Sequence, residues 1–131
     1  MDIDLQLVLF RLCAGLAFMP HALPKLFEGL EVRTRVAQQF AQLGIAHSLG
    51  MVMITGAIEL VLCVGLTIGF GTQAAGLVSA LYLAITMVVG HYPEGLFGGG
   101  WEYRALWMLA CAGLAIAGGG RWSLDAWLKD A

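Results

Sequence analysis

Charge is what this chain most conspicuously lacks: 12% of its 131 residues are charged, against about 25% in ordinary soluble domains. With 60% of residues hydrophobic and a mean hydropathy of +0.81, a soluble fold of this size could not cover itself with polar groups. Lysine and arginine total seven against nine acids, a formal net charge of −2. That balance leaves no basic face for nucleic acid. Cysteine is sparse and unpaired: Cys13, Cys63 and Cys111 stand alone in separate apolar runs with no CxxC, which reads as small core residues rather than a redox centre. No HxxxH occurs either, so a tetrahedral metal site would need ligands from distant elements. The glycine runs at 98–100 and 118–120 lack the Lys-Ser/Thr of a phosphate loop. No sequence feature indicates a haem or flavin site, and no metal is expected. The opening MDIDLQ has acids where a signal peptide carries positive charge, so the first apolar segment is expected to be retained.

What remains is apolar sequence in lengths suited to a bilayer. Spans are expected at about 5–23, 48–70, 72–90 and 103–119, each near the roughly 20 residues that cross about 30 Å of hydrocarbon. Backbone groups in lipid must bond within their own segment, so these are helices. The expected fold is therefore all-α, a transmembrane four-helix bundle in a single domain, 1–131. Only Gly69-Phe70-Gly71-Thr72 separates the second and third spans, which makes them antiparallel neighbours, with Gly65, Gly69, Gly76, Ser79 and Ala80 as close-approach surfaces. Between the first and second spans, Val36, Phe40 and Leu43 recur at helical spacing and predict a short amphipathic interfacial helix. Residues 91–102 read as a loop through Pro93 and three glycines. Trp101, Tyr103, Trp122 and Trp127 fall at span ends, where aromatic belts form. The positive-inside rule leans toward long loops in the cytoplasm, and counting Arg11 with the terminal face nearly erases that lean.

Glu59 is the most informative residue. It lies near the middle of the second span, where an acid costs roughly 2.5–3.5 kcal/mol on insertion scales, so a proton, a cation or a polar ligand must neutralise it. Arg11 is the expected partner, about 6 Å away in depth, directly or through water; snorkelling to the headgroups is the alternative. Arg11, Gly15, Phe18, Ala22 and Lys25 share one face of the first span, with His21 a little further round, while Pro20 and Pro24 break its end. These positions predict a cavity entered from the long-loop side. His21, His91 and Glu102 would line it, with Lys25 and Arg104 nearby and Glu59 and Arg11 at its bottom. Histidines beside carboxylates suit proton transfer, although interfacial histidines also simply bond loop carbonyls.

The order and spacing of several elements resemble the DoxX family of small four-span membrane proteins over nearly the whole chain. They are Arg11 with Gly15 and Phe18, His21, Lys25-Leu26, Leu43-Gly44-Ile45, Glu59-Leu60, Gly65-Leu66, His91, Gly99 to Tyr103, Gly118 to Gly120, and Ser123-Leu124-Asp125. His21 is followed by Ala22 where that family often has glycine. The resemblance implies a bacterial or archaeal cytoplasmic membrane protein with both termini on one side. It also implies a link to redox complexes, since a related subunit, DoxD, belongs to a thiosulfate:quinone oxidoreductase. The expected function is a redox-associated membrane subunit that binds a quinone or similar small molecule. Glu59 and His91 would exchange protons with it; Arg11, His21, Lys25, Glu102 and Arg104 would bind it. The alternatives are a non-catalytic anchor or assembly subunit for a partner redox enzyme, and a small-molecule or proton conductor. Small-residue faces also make homo-oligomers plausible.

Overall fold

The computed structural model describes residues 2–42, 44, 48–90 and 101–131. Among these residues the fold is all-helical and has no strand. Its elements are α1 (Ile3–Leu16), α2 (Met19–Phe27), α3 (Leu30–Gln42), α4 (Leu49–Ile68), α5 (Thr72–Gly90), α6 (Trp101–Ala117) and α7 (Leu124–Asp130).

The expected first span is divided. α1 ends at Leu16, four residues before Pro20, whose ring cannot follow a helical carbonyl at that position. After Ala17 and Phe18 the chain resumes as α2, with Pro20 in its first turn, where a missing N–H costs nothing. Taken together, Ile3–Phe27 is, among the described residues, one of two stretches long and apolar enough to cross a membrane; α4 is the other. The apolar part of α5, Thr72–Val88, is shorter, and α6 has 17 residues. The helix expected after the first span is α3, although Leu43, the third residue of its apolar pattern, lies outside the described residues.

α1 and α2 pack on α4, while α5 packs chiefly on α6. The core where they meet is built from Ala14, Phe18, Leu62, Cys63, Leu66, Leu83, Trp107, Cys111 and Leu114. Outward faces are apolar as well: Val61, Ile85, Leu106 and Ile116 are all exposed. Helices that are apolar on both faces belong in lipid rather than water. The small-residue expectation is corrected at Gly76. A Cβ there would stand 2.7 Å from Ala115 N and Cys111 O, so this glycine admits α6 and not α4.

The C-terminal segment locks the end where α4 turns into α5. Gly69 ends α4 at φ 77°, and the N–H groups of Gly69 and Phe70 both bond Gly65 O, at 3.0 and 2.9 Å. Across this turn Asp125 accepts from the N–H groups of Gly71 (2.7 Å) and Thr72 (2.9 Å), an anion capping the start of α5. Asp125 N–H in turn donates to Gly69 O at 2.9 Å. Burial pushes the Asp125 carboxyl up, but the Thr72 and Gly71 N–H groups, the Thr72 hydroxyl and Arg11 together hold it below its ordinary value.

A folded-state value lowered in this way stabilises the protein above the unfolded value, 3.8 for aspartate, and that stability is lost as pH falls through the lower folded value. Asp125→Asn should therefore lower stability at neutral pH by about 1–3 kcal/mol and flatten the acid limb of the stability curve. Unfolding of the detergent-solubilised protein between pH 3 and 7 checks both effects, and an unchanged acid limb would count against this cap.

Candidate functional site

The site is assembled from α2, α4 and α5. Along α4 the buried residues Val52, Gly56, Glu59, Cys63 and Leu66 form one inward stripe at three- and four-residue spacing. Gly56 decides what Glu59 meets. A Cβ at Gly56 would lie 2.9 Å from Lys25 Cβ and 3.1 Å from Leu26 Cγ, so only glycine lets α2 come this close. Lys25 then reaches one turn along α4 and sets its ammonium against the carboxylate of Glu59, with Nζ 2.7 Å from both Oε1 and Oε2. From the other side Tyr82 donates its hydroxyl to Glu59 Oε1 at 2.5 Å. The side chains of Lys25 and Glu59 are 13% and 5% exposed, so the pair lies almost wholly within the bundle. Arg33 of α3 steadies Lys25 from behind: its Nε donates to Lys25 O (2.8 Å) and its Nη2 to Leu26 O (2.6 Å), serving carbonyls that the end of α2 leaves unpaired.

An aromatic wall leads from Tyr82 toward the end of α2. Phe18 lies 6.2 Å from Tyr82 and 4.5 Å from Trp107, and His21 is stacked on Trp107 at 5.7 Å. The Trp107 indole N–H donates to Ala14 O at 2.9 Å, which fixes its ring. Arg104, one turn before Trp107 on α6, is half-buried, and its Nη1 is buried with no hydrogen-bond partner among the described residues. His21 is exposed and lies within electrostatic range of Glu59, Lys25 and Arg104.

Arg11 is the main correction. Its guanidinium is buried, and Nη1 donates to Thr67 O (3.2 Å) while Nη2 donates to Trp122 O (2.7 Å). Thr67 is eight residues beyond Glu59 on α4, about 12 Å along the helix axis. Arg11 therefore serves the carbonyl end of α4, where a cation also complements the helix dipole. It neither reaches Glu59 nor snorkels to the surface. The expected cavity with both groups at its floor is replaced by two polar clusters at different depths. Of the other expected residues, Lys25 is brought to Glu59, and Glu102 is exposed in the first turn of α6. His91 lies outside the described residues.

Reading the sequence missed Tyr82, Gly56, Arg33 and Trp107. A signal for Tyr82 was present: Glu59 lies ten residues before Gly69 and Tyr82 ten after Thr72, which puts them level in an antiparallel pair. Two apolar grooves, of about 480 and 860 Å³, run along α1–α6 and α4–α5, and none of the site's polar residues lines either. Among the described residues no group of three or more His, Cys, Asp or Glu could hold a metal ion.

In a comparison with known protein families, the model described as DoxX matches residues 6–92, which contain Lys25, Glu59 and Tyr82. No curated protein and no solved structure matches.

Proposed function

This chain belongs to the DoxX family and is a membrane protein, and from that premise we propose that it is a four-span, multi-pass protein of a bacterial or archaeal cytoplasmic membrane that binds a quinone within its helix bundle. One observation carries the reading. A carboxylate in the middle of an apolar helix is held by an ammonium and a phenol, beside a wall of aromatic rings. Ionisable groups at such depth are costly and mark ligand or proton pathways by default. The exposed imidazole of His21, stacked on Trp107, offers a flat surface for a quinone ring, and the third N–H of Lys25, not spent on Glu59, offers a hydrogen bond to one of its oxygens. Glu59 and Tyr82 share the proton of the Tyr82–Glu59 hydrogen bond, Lys25 orients the ligand, and His21, exposed on α2, is a group through which a proton would leave. Electrons would come from a partner redox enzyme or from the bound molecule itself.

A second reading is favoured by the completeness of the pair. Lys25 and Glu59 neutralise each other without any ligand, as a purely structural pair in an anchor or assembly subunit would. Quinone carried by the purified protein separates the two. The quinone reading expects it in wild type and expects its loss in Glu59→Gln with the fold retained; the anchor reading expects no dependence on Glu59.

A further inference from the structure

The charges and open hydrogen bonds around this site are unbalanced, and the imbalance specifies the form of ligand it takes. Lysine carries three N–H donors, and Lys25 directs its bonds to the two oxygens of one carboxylate, leaving one donor open. Glu59 already accepts from Lys25 at both oxygens and from Tyr82 at Oε1, so most of its acceptor capacity is used. Arg104 adds a second cation. Its Nη1 is buried, yet nothing among the described residues accepts from it. A charged donor shut away from water without an acceptor is costly, so the arrangement is complete only when an acceptor is present. His21 lies within electrostatic range of one carboxylate, Glu59, and two cations, Lys25 and Arg104. Glu102, two residues from Arg104 on the same helix, projects from a different face and is exposed.

The geometry points to a head group with a negatively charged oxygen: we propose that the site takes an ionised, oxyanion-bearing quinone in preference to the neutral quinone. The inference rests on the quinone reading above and adds the charge state. In this arrangement Arg104 and the free Lys25 donor hold the oxyanion, while the ring lies against the exposed imidazole of His21. Arg104 is thus the residue that sets specificity for charge.

The test uses full-length protein in lipid nanodiscs and two probes, a hydroxynaphthoquinone that is ionised at neutral pH and its methoxy ether, which cannot ionise. Wild type should bind the ionised probe about tenfold or more tightly than the ether, the effect of one charge-assisted hydrogen bond. R104Q should abolish that preference by weakening the ionised probe alone, and R104K, which keeps the charge, should retain part of it. Measuring the ratio in each variant cancels differences in partition of the probes into lipid. Equal affinities in wild type would overturn the charge preference and leave quinone binding standing; binding of neither probe would overturn both. The wild-type comparison needs no variant to fold.

Discussion

Glu59→Leu should destabilise the folded protein by about 3–5 kcal/mol, and Lys25→Met by a similar amount, while the double variant recovers most of the loss. The reason is that each single change leaves one charge buried without its partner, and this costs more than the pair itself contributes. Lys25 and Glu59 are 13% and 5% exposed, so water cannot compensate for the missing group. Leucine and methionine approximate the lost volumes, and the double variant presents an apolar surface in an already apolar interior. Chemical unfolding of the four proteins in one detergent gives the coupling energy directly. Losses that simply add in the double variant would show that the two side chains do not meet.

The second large effect is expected at Gly69. Its φ of 77° is a left-handed conformation that costs other residues roughly 1–2 kcal/mol, and β-branched ones are least suited to it. Space is closed too: a Cβ there would collide with the Arg11 guanidinium and lie 2.5 Å from Ser123 Cβ. Gly69→Val therefore both strains the turn and displaces the arginine that serves the carbonyls of Thr67 and Trp122. Together these should cost about 2–5 kcal/mol. By contrast, Gly71→Val faces the same backbone strain with open space, since nothing lies within 4 Å of a Cβ there, and should be milder. Thermal unfolding of the two variants in detergent separates strain from collision. Equal losses would mean that the close packing of Arg11 and Ser123 contributes nothing.

Helix positions were readable because hydropathy and turn residues act locally. The spans expected at 48–70 and 72–90 became α4, Leu49–Ile68, and α5, Thr72–Gly90, and the amphipathic pattern around Val36 became α3. Pairing was not readable in the same way. Arg11 and Glu59 look compatible when depth is counted along two straight helices. The proline-directed break after Leu16 and the absent side chain at Gly56 decide the matter instead, since together they deliver Lys25 to the carboxylate first. Arg11 has a better use at the carbonyl end of α4, which no spacing in the sequence reveals. Tyr82 is a different case: its level with Glu59 follows from the short turn at Gly69 to Gly71. Asp125 was legible only as part of a motif, because its cap on Gly71 and Thr72 joins positions more than fifty residues apart.

The site's chemistry is tested most directly by the quinone that purifies with the protein. Wild type and Glu59→Gln are extracted in parallel from the same membranes, confirmed by circular dichroism to be folded at the extraction temperature, and their bound quinone measured by absorbance and mass spectrometry. Binding at the Lys25–Glu59–Tyr82 cluster predicts near-stoichiometric quinone in wild type and roughly tenfold less in Glu59→Gln, the loss expected when a charged hydrogen-bonding group is removed from a buried site. Equal quinone in the two folded proteins, or none in either, would contradict it.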